Sequence, residues 1–173
     1  EGNSKLTVQT RADASSAKVS YPVTVYAMNS GGQCVRRQLL LSDNDELSFN
    51  LDPATYHIYA VGGATDGDYI LPTLENAVAT SVITLNSEAR HGDLMTASNT
   101  ITLSENESNT LTLTMIRKVM HLQNLVINNV PTTVDAVAVT FTPLYDNLLL
   151  NGSYTTTSGE YGVALTEQAD GTT

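Results

Sequence analysis

Apolar and polar residues alternate along most of the chain, and that alternation predicts its elements. In "NTLTLTMIR" (109–117), Leu111, Leu113 and Met115 stand against Thr110, Thr112 and Thr114. A period of two puts successive side chains on opposite faces of a strand. The same period runs through "KLTVQT" (5–10), "YPVTVYAMN" (21–29), "CVRRQLLLS" (34–42), "LSFNL" (47–51) and "YHIYAV" (56–61). Further strands are predicted over 81–86, 93–104, 119–128, 135–142, 145–150 and 161–166. Leu47, Phe49, Leu51, Tyr56, Ile58, Leu111, Leu113 and Met115 are assigned to the core, because each alternates with polar neighbours. In the 21–29 strand, Tyr21, Val23, Val25 and Ala27 oppose Thr24, Tyr26 and Met28.

The breaks in the pattern carry turn chemistry. "SGGQ" (30–33) suits a hairpin, since Gly adopts positive φ without penalty, and "ENES" (105–108) suits another turn. In "LDPATY" (51–56), Pro53 fixes φ and lacks an amide hydrogen, so a tight hairpin between the flanking strands is predicted. Pro22 belongs near a strand start or on an edge. The stretch 62–80 reads as a loop that could hold one helical turn in "LPTLENAVA". Many short strands with no sustained 3.6-residue stripe predict an all-β, antiparallel β-sandwich. A boundary near Arg117–His121 divides it into an N-terminal β-sandwich domain, 1–118, and the start of a second, truncated β domain, 119–173.

Composition narrows the function. The 173 residues include 41% hydrophobic residues, enough for a core without staples, and only 15% charged ones. Net charge is −10, from 18 acidic and 8 basic residues, so nucleic acid would be repelled. One cysteine, Cys34, excludes an intrachain disulfide. No apolar run approaches the ~20 residues that span a bilayer as a helix. The chain opens Glu-Gly-Asn, so a leader would lie upstream.

Candidate chemistry is sparse. His57, His91 and His121 lie far apart with no ligating spacing. Asp43 with Asp45, and Asp66 with Asp68, resemble fragments of a calcium loop without its remaining oxygen ligands. Cys34 has no adjacent His or Lys to lower its pKa. No nucleophile elbow, phosphate loop or paired acids are present, so neither an enzyme nor a cofactor is expected. Tyr26, Tyr59 and Tyr69 are candidates for a sugar-stacking platform on a wet sheet face, with core packing as the alternative use.

The order "YPVTVYAMNSGGQCV", "LSFNLDPATYHIYAVGG", "GDLMTASNTITLSENESNTLTLTMIRKVMHLQNLVI" and "VPTTVDAVAVTFTP" resembles the fimbrillin superfamily of the Bacteroidetes, the type V pilins, in its anchor and minor-subunit branch. Ala54 stands where the family often has Gly, so another turn type is expected there. The resemblance implies transthyretin-like, Greek-key sandwiches in two domains, exported as lipoproteins to the outer membrane, cell surface or fimbrium. The lipid-bearing Cys would lie upstream of Glu1. Its partners would be other fimbrial subunits and host or bacterial surface ligands.

The implied function is a structural adhesion or fimbrial subunit, or a fimbrial anchor, assembling by β-strand addition. The exchangeable strand is then Lys5, Leu6, Thr7, Val8, Gln9 and Thr10, and Arg11, in the polar stretch "RADASS", is the candidate processing site. The alternative is a carbohydrate-binding accessory module of a surface glycan system, built on Tyr side chains and the 62–80 loop.

Overall fold

The computed structural model describes residues 3–65, 67–86, 92–120, 122, 124–145, 147–155 and 158–166. His91, His121 and Asp66 lie outside the described residues. The chain separates into two compact units: Glu1–Met120 with Asn147–Ser153, and His121–Asp146 with Tyr154–Thr173.

The first unit is a β-sandwich. Its strands are β1 (Ser4–Ala12), β2 (Val23–Met28), β3 (Cys34–Leu40), β4 (Leu47–Leu51), β5 (Thr55–Gly62), β6 (Tyr69–Ile70), β7 (Val82–Leu85), β8 (Met95–Thr102), β9 (Ser108–Arg117) and β11 (Leu148–Leu149). Seven of them form one sheet in the order β3-β2-β5-β8-β9-β1-β4. It folds over at β8 and β9, which pair only at Met95↔Arg117 and Thr96↔Ile116. The four strands from β3 to β8 thus face the three strands β9, β1 and β4. Between them lie Leu6, Val8, Phe49, Leu113 and Met115 from one layer and Val25, Ile58 and Met95 from the other, all nearly inaccessible. The two free edges approach each other as well, since the Arg36 guanidinium on β3 donates to the carbonyls of Val35 at 2.8 Å and of Asn50 on β4 at 3.4 Å.

The predicted core residues are buried, with Leu111 half-buried against them. Several pairings differ from the sequence reading. "DPAT" does not close a hairpin: β4 pairs with β1, whereas β5 pairs with β2 and β8. The turn carries the chain from one layer to the other. It is pinned by the Tyr56 hydroxyl, which donates to the Asp52 carbonyl at 2.9 Å, and by the Leu103 amide, which donates to the Ala54 carbonyl at 2.9 Å. Nor is β1 a short strand ending at Thr10. It runs through Arg11 and Ala12, parallel to β9 and antiparallel to β4.

The face of β2 that carries Thr24, Tyr26 and Met28 is not wet. Every residue of β2 is buried, because a third layer covers that face. This layer is the small sheet β11-β7-β6, whose Tyr69, Ile83 and Leu148, together with Leu71 and Leu150, pack on Tyr26, Met28 and Val61 in a second apolar cluster. The stretch 62–80 therefore supplies a strand, and it contains the helical turn, the Ala77 amide donating to the Thr73 carbonyl at 2.9 Å. The residues Asn147–Ser153 return to complete this layer.

The second unit contains β10 (Val137–Tyr145) and β12 (Ser158–Leu165), paired antiparallel with a register shift between Phe141 and Leu144. Val137, Val139 and Phe141 lie opposite Leu165, Val163 and Tyr161, so one face of this ribbon is apolar. The predicted strand 119–128 contains no strand among its described residues. The predicted strand at 145–150 divides between the end of β10 and β11.

Candidate functional site

The strand singled out by sequence, β1, lies one position from the sheet edge. Its residues Leu6 and Val8 are fully buried, while Lys5 and Arg11 are exposed on the outer face. Parallel pairing runs from Lys5↔Ser108 to Ala12↔Met115, and the Arg11 Nε donates to Thr114 Oγ1 at 3.0 Å on the neighbouring strand. Arg11 is thus held within a strand, and the segment outside regular structure begins at Asp13. There the Ser16 amide donates to the Asp13 carbonyl at 3.1 Å, closing a turn. Ser15 Oγ donates to Asp13 Oδ2 at 2.6 Å and holds the Asp13 carboxyl below its ordinary pKa.

An open groove of about 710 Å³ lies at the C-terminal end of β1, its lining including Thr10, Arg11, Lys18, Tyr21, Leu41 and Asp43. Tyr21 closes its inner side, its hydroxyl 2.8 Å from Thr10 Oγ1. The loop that borders it, between β3 and β4, is folded on itself by Asp45, whose Oδ2 accepts from the amides of Leu41 and Ser42 at 3.0 Å each. This accounts for the Asp43–Asp45 pair, since Asp45 serves a turn. In the same way Thr65 Oγ1 donates to Asp68 Oδ2 at 2.9 Å.

The other candidates do not converge. His57 is exposed on β5, with its Nδ1 2.9 Å from Thr100 Oγ1. Among the described residues no three His, Cys, Asp or Glu side chains are grouped to hold a metal ion. Cys34 is buried, and desolvation raises its pKa. Tyr26 and Tyr69 are buried in the second cluster and Tyr59 packs beside them, so no sugar platform forms from these three. The exposed aromatic pair is elsewhere: in the second unit the rings of Tyr145 and Tyr154 stack at 5.2 Å with 15° between their planes.

One ionic constellation escaped the sequence reading because its members are far apart. Arg117, at the end of β9, bonds Asp93 in a fork, Nε to Oδ1 at 2.5 Å and Nη2 to Oδ2 at 2.8 Å, and Ser20 Oγ donates to Asp93 Oδ2 at 2.6 Å. Arg117 and Ser20 hold the Asp93 carboxyl below its ordinary pKa.

This is an all-β sandwich whose described polar groups serve turns, strand edges and an ion pair, and whose distinctive surface is a strand edge beside a groove. The family model of the Fimbrillin-A associated anchor proteins Mfa1 and Mfa2 matches residues 1–173, and the chain belongs to that family, one of fimbrial anchors and not of enzymes.

Solved structures agree on the fold. The fimbrial anchor protein Mfa2 from Porphyromonas gingivalis superposes with a TM-score of 0.66 at 13% identity, over 98% of this chain and 70% of that one. A candidate polysaccharide-binding protein from Bacteroides thetaiotaomicron gives a TM-score of 0.64 at 15% identity, over 92% of this chain and 63% of that one. A candidate adhesin from the same organism gives 0.63 at 13% identity, over 92% of this chain and 61% of that one. The chain therefore spans 63% and 61% of the length of these two Bacteroides proteins. No curated protein matches the chain in sequence.

Proposed function

We propose that this chain is part of a fimbrial anchor subunit, a structural protein at the cell surface that binds other fimbrial subunits and holds the fimbrium to the cell. The observation that carries the reading is the family match over residues 1–173. A sandwich whose described features are turns, edges and packed cores fits a mechanical role. In this reading the protein is exported and tethered to the outer membrane by a lipid on an upstream cysteine, and a second β domain begins near residue 119, with Asn147–Ser153 returning to the first. Deleting its gene in the cell that makes it is expected to release fimbriae into the medium. Fimbriae retained on the deleted cells at the usual level would overturn the reading.

Assembly would proceed by strand addition, with Lys5–Thr10 as the exchanged segment and Arg11 as the point of proteolytic release. Removing β1 would uncover the inward side chains of Leu113 and Met115 and unpaired backbone on both β9 and β4, a template for a partner strand. Because Arg11 lies within β1, its end must fray before a protease can engage it. Trypsin digestion followed by incubation with a peptide of residues 1–11 tests this. A cleaved chain that neither loses the strand nor takes up the peptide would exclude β1 exchange.

A second reading, a glycan-binding accessory role, is favoured by the exposed stack of Tyr145 on Tyr154 and by the candidate polysaccharide-binding neighbour. A glycan array probed with the chain and with its Tyr154→Ala variant separates the two. Binding that is absent, or unchanged by the substitution, removes this reading.

A further inference from the structure

The direction of hydrogen bonding along β1 leaves part of its backbone without a strand beside it. The Lys5 amide donates to the Glu107 carbonyl at 2.9 Å, and the Asp13 amide to the Met115 carbonyl at 3.0 Å. The register with β9 runs unbroken between them. Odd-numbered residues of β1 therefore turn N–H and C=O toward β9, and even-numbered ones toward β4. β4 reaches only as far as Leu47, opposite Val8. The amides and carbonyls of Thr10 and Ala12 consequently face the groove, and among the described residues no strand lies against them.

The chain's own β3–β4 loop does not fill this place. Its amides at Leu41 and Ser42 are turned inward onto Asp45, and Gln9 Nε2 is bonded to Glu46 Oε1, which ends the approach of the loop to β1. What borders the open edge is amphipathic. Tyr21 and Leu41, the latter 69% exposed, supply apolar surface, while Arg11 and Lys18, two of only 8 basic residues in a chain of net charge −10, outnumber the one carboxylate in the lining, Asp43.

We propose that the Thr10–Ala12 edge is a β-augmentation site for an extended segment of a different polypeptide, one with an acidic side chain opposite Arg11 and apolar side chains facing Tyr21 and Leu41. Main-chain bonds to Thr10 and Ala12 supply affinity, and the alternating side chains supply selectivity. A second copy pairing through the same edge about a two-fold axis would set Arg11 against Arg11, and like charges directly opposite across strands are destabilising. The inference rests on the strand register and not on the assembly role proposed above, since β1 stays in the sheet throughout.

The test uses the uncut chain and acetylated octapeptides in which Glu alternates with Val, Leu, Thr or Tyr. In the free chain, amide exchange at Thr10 and Ala12 is expected to be faster than at Arg11, whose amide is bonded to β9. Adding the peptides is expected to slow Thr10 and Ala12 and leave Leu6 and Val8 unchanged. Arg11→Glu is expected to weaken the Glu peptides by about tenfold and to favour matching Lys peptides instead. Slow exchange at Thr10 and Ala12 in the free chain, no protection by any of the peptides, or an Arg11→Glu variant that binds both series alike would each overturn the proposal. So would protection that rises with protein concentration alongside a dimeric mass in light scattering, which would identify the occupant as a second copy.

Discussion

The Arg37 guanidinium of β3 lies over the ring of Tyr26 on β2, 5.5 Å from its centroid, and both side chains converge on one acceptor, the Pro72 carbonyl. The Tyr26 hydroxyl donates to it at 2.8 Å and Arg37 Nε at 3.0 Å. This pins the segment that covers the second face of β2. Tyr26→Phe and Arg37→Met are each expected to cost about 1 kcal/mol. Together they should cost more than their sum, because only the double variant leaves the half-buried carbonyl without either donor. Strictly additive losses in urea denaturation would show that the shared acceptor does not matter.

The fork between Arg117 and Asp93 makes stability pH-dependent. Hydrogen bonding from Arg117 and Ser20 lowers the Asp93 pKa below its ordinary value in the folded state. The lowered pKa contributes stability that is present above the unfolded value and is lost as pH falls through the folded one. Asp93→Asn should therefore destabilise at pH 7, by less than about 1 kcal/mol for so exposed a pair, and match the parent once pH is below the folded pKa. A gap between the two that persists unchanged into strong acid would contradict this.

Two glycines separate backbone strain from collision. Gly32, at φ +80° in the β2–β3 hairpin, has open space where a Cβ would stand, so Gly32→Ala is expected to cost about 1 kcal/mol from left-handed backbone alone. Gly63, at φ +76°, would drive a Cβ into the Asp93 backbone and to 3.1 Å from Ser20 Cβ, so Gly63→Ala should cost more than about 2 kcal/mol. Equal melting temperatures for the two variants would refute the distinction.

Limited proteolysis reads the difference between strand and loop. Arg11 is fixed in β1, whereas Lys18 is exposed in the segment after it, outside any strand. Brief trypsin treatment of the folded chain is expected to cut after Lys18 before Arg11. Mass spectrometry showing cleavage first at Arg11 would mean that the end of β1 frays more readily than its register suggests.

Burial makes a further chemical prediction. Cys34 is 7% exposed and its thiol pKa is raised, chiefly by desolvation. A disulfide reagent at neutral pH should modify it slowly in the native chain and rapidly in denaturant. Native-state modification as fast as that of free cysteine would show the site to be open.

What the sequence determined by itself is local. Alternation at Leu47, Phe49 and Leu51 and at Leu113 and Met115 identified strands and their inward faces, because the period of two is a property of the extended backbone. The family resemblance was also legible, since it rests on the order of such strands. Pairing was not legible. Nothing local to "LDPATY" distinguishes a hairpin from a crossing between layers, because that depends on where β1 and β8 offer their edges, and these lie far away in sequence. The same limit hid the burial of Tyr26, which alternates as a wet-face residue would and is covered only because β6, β7 and β11 gather over it from three separate stretches. It also hid the candidate edge. Thr10 and Ala12 carry no motif, and their backbone groups lie open because β4 ends opposite Val8, a matter of strand length and register that only the assembled sheet decides.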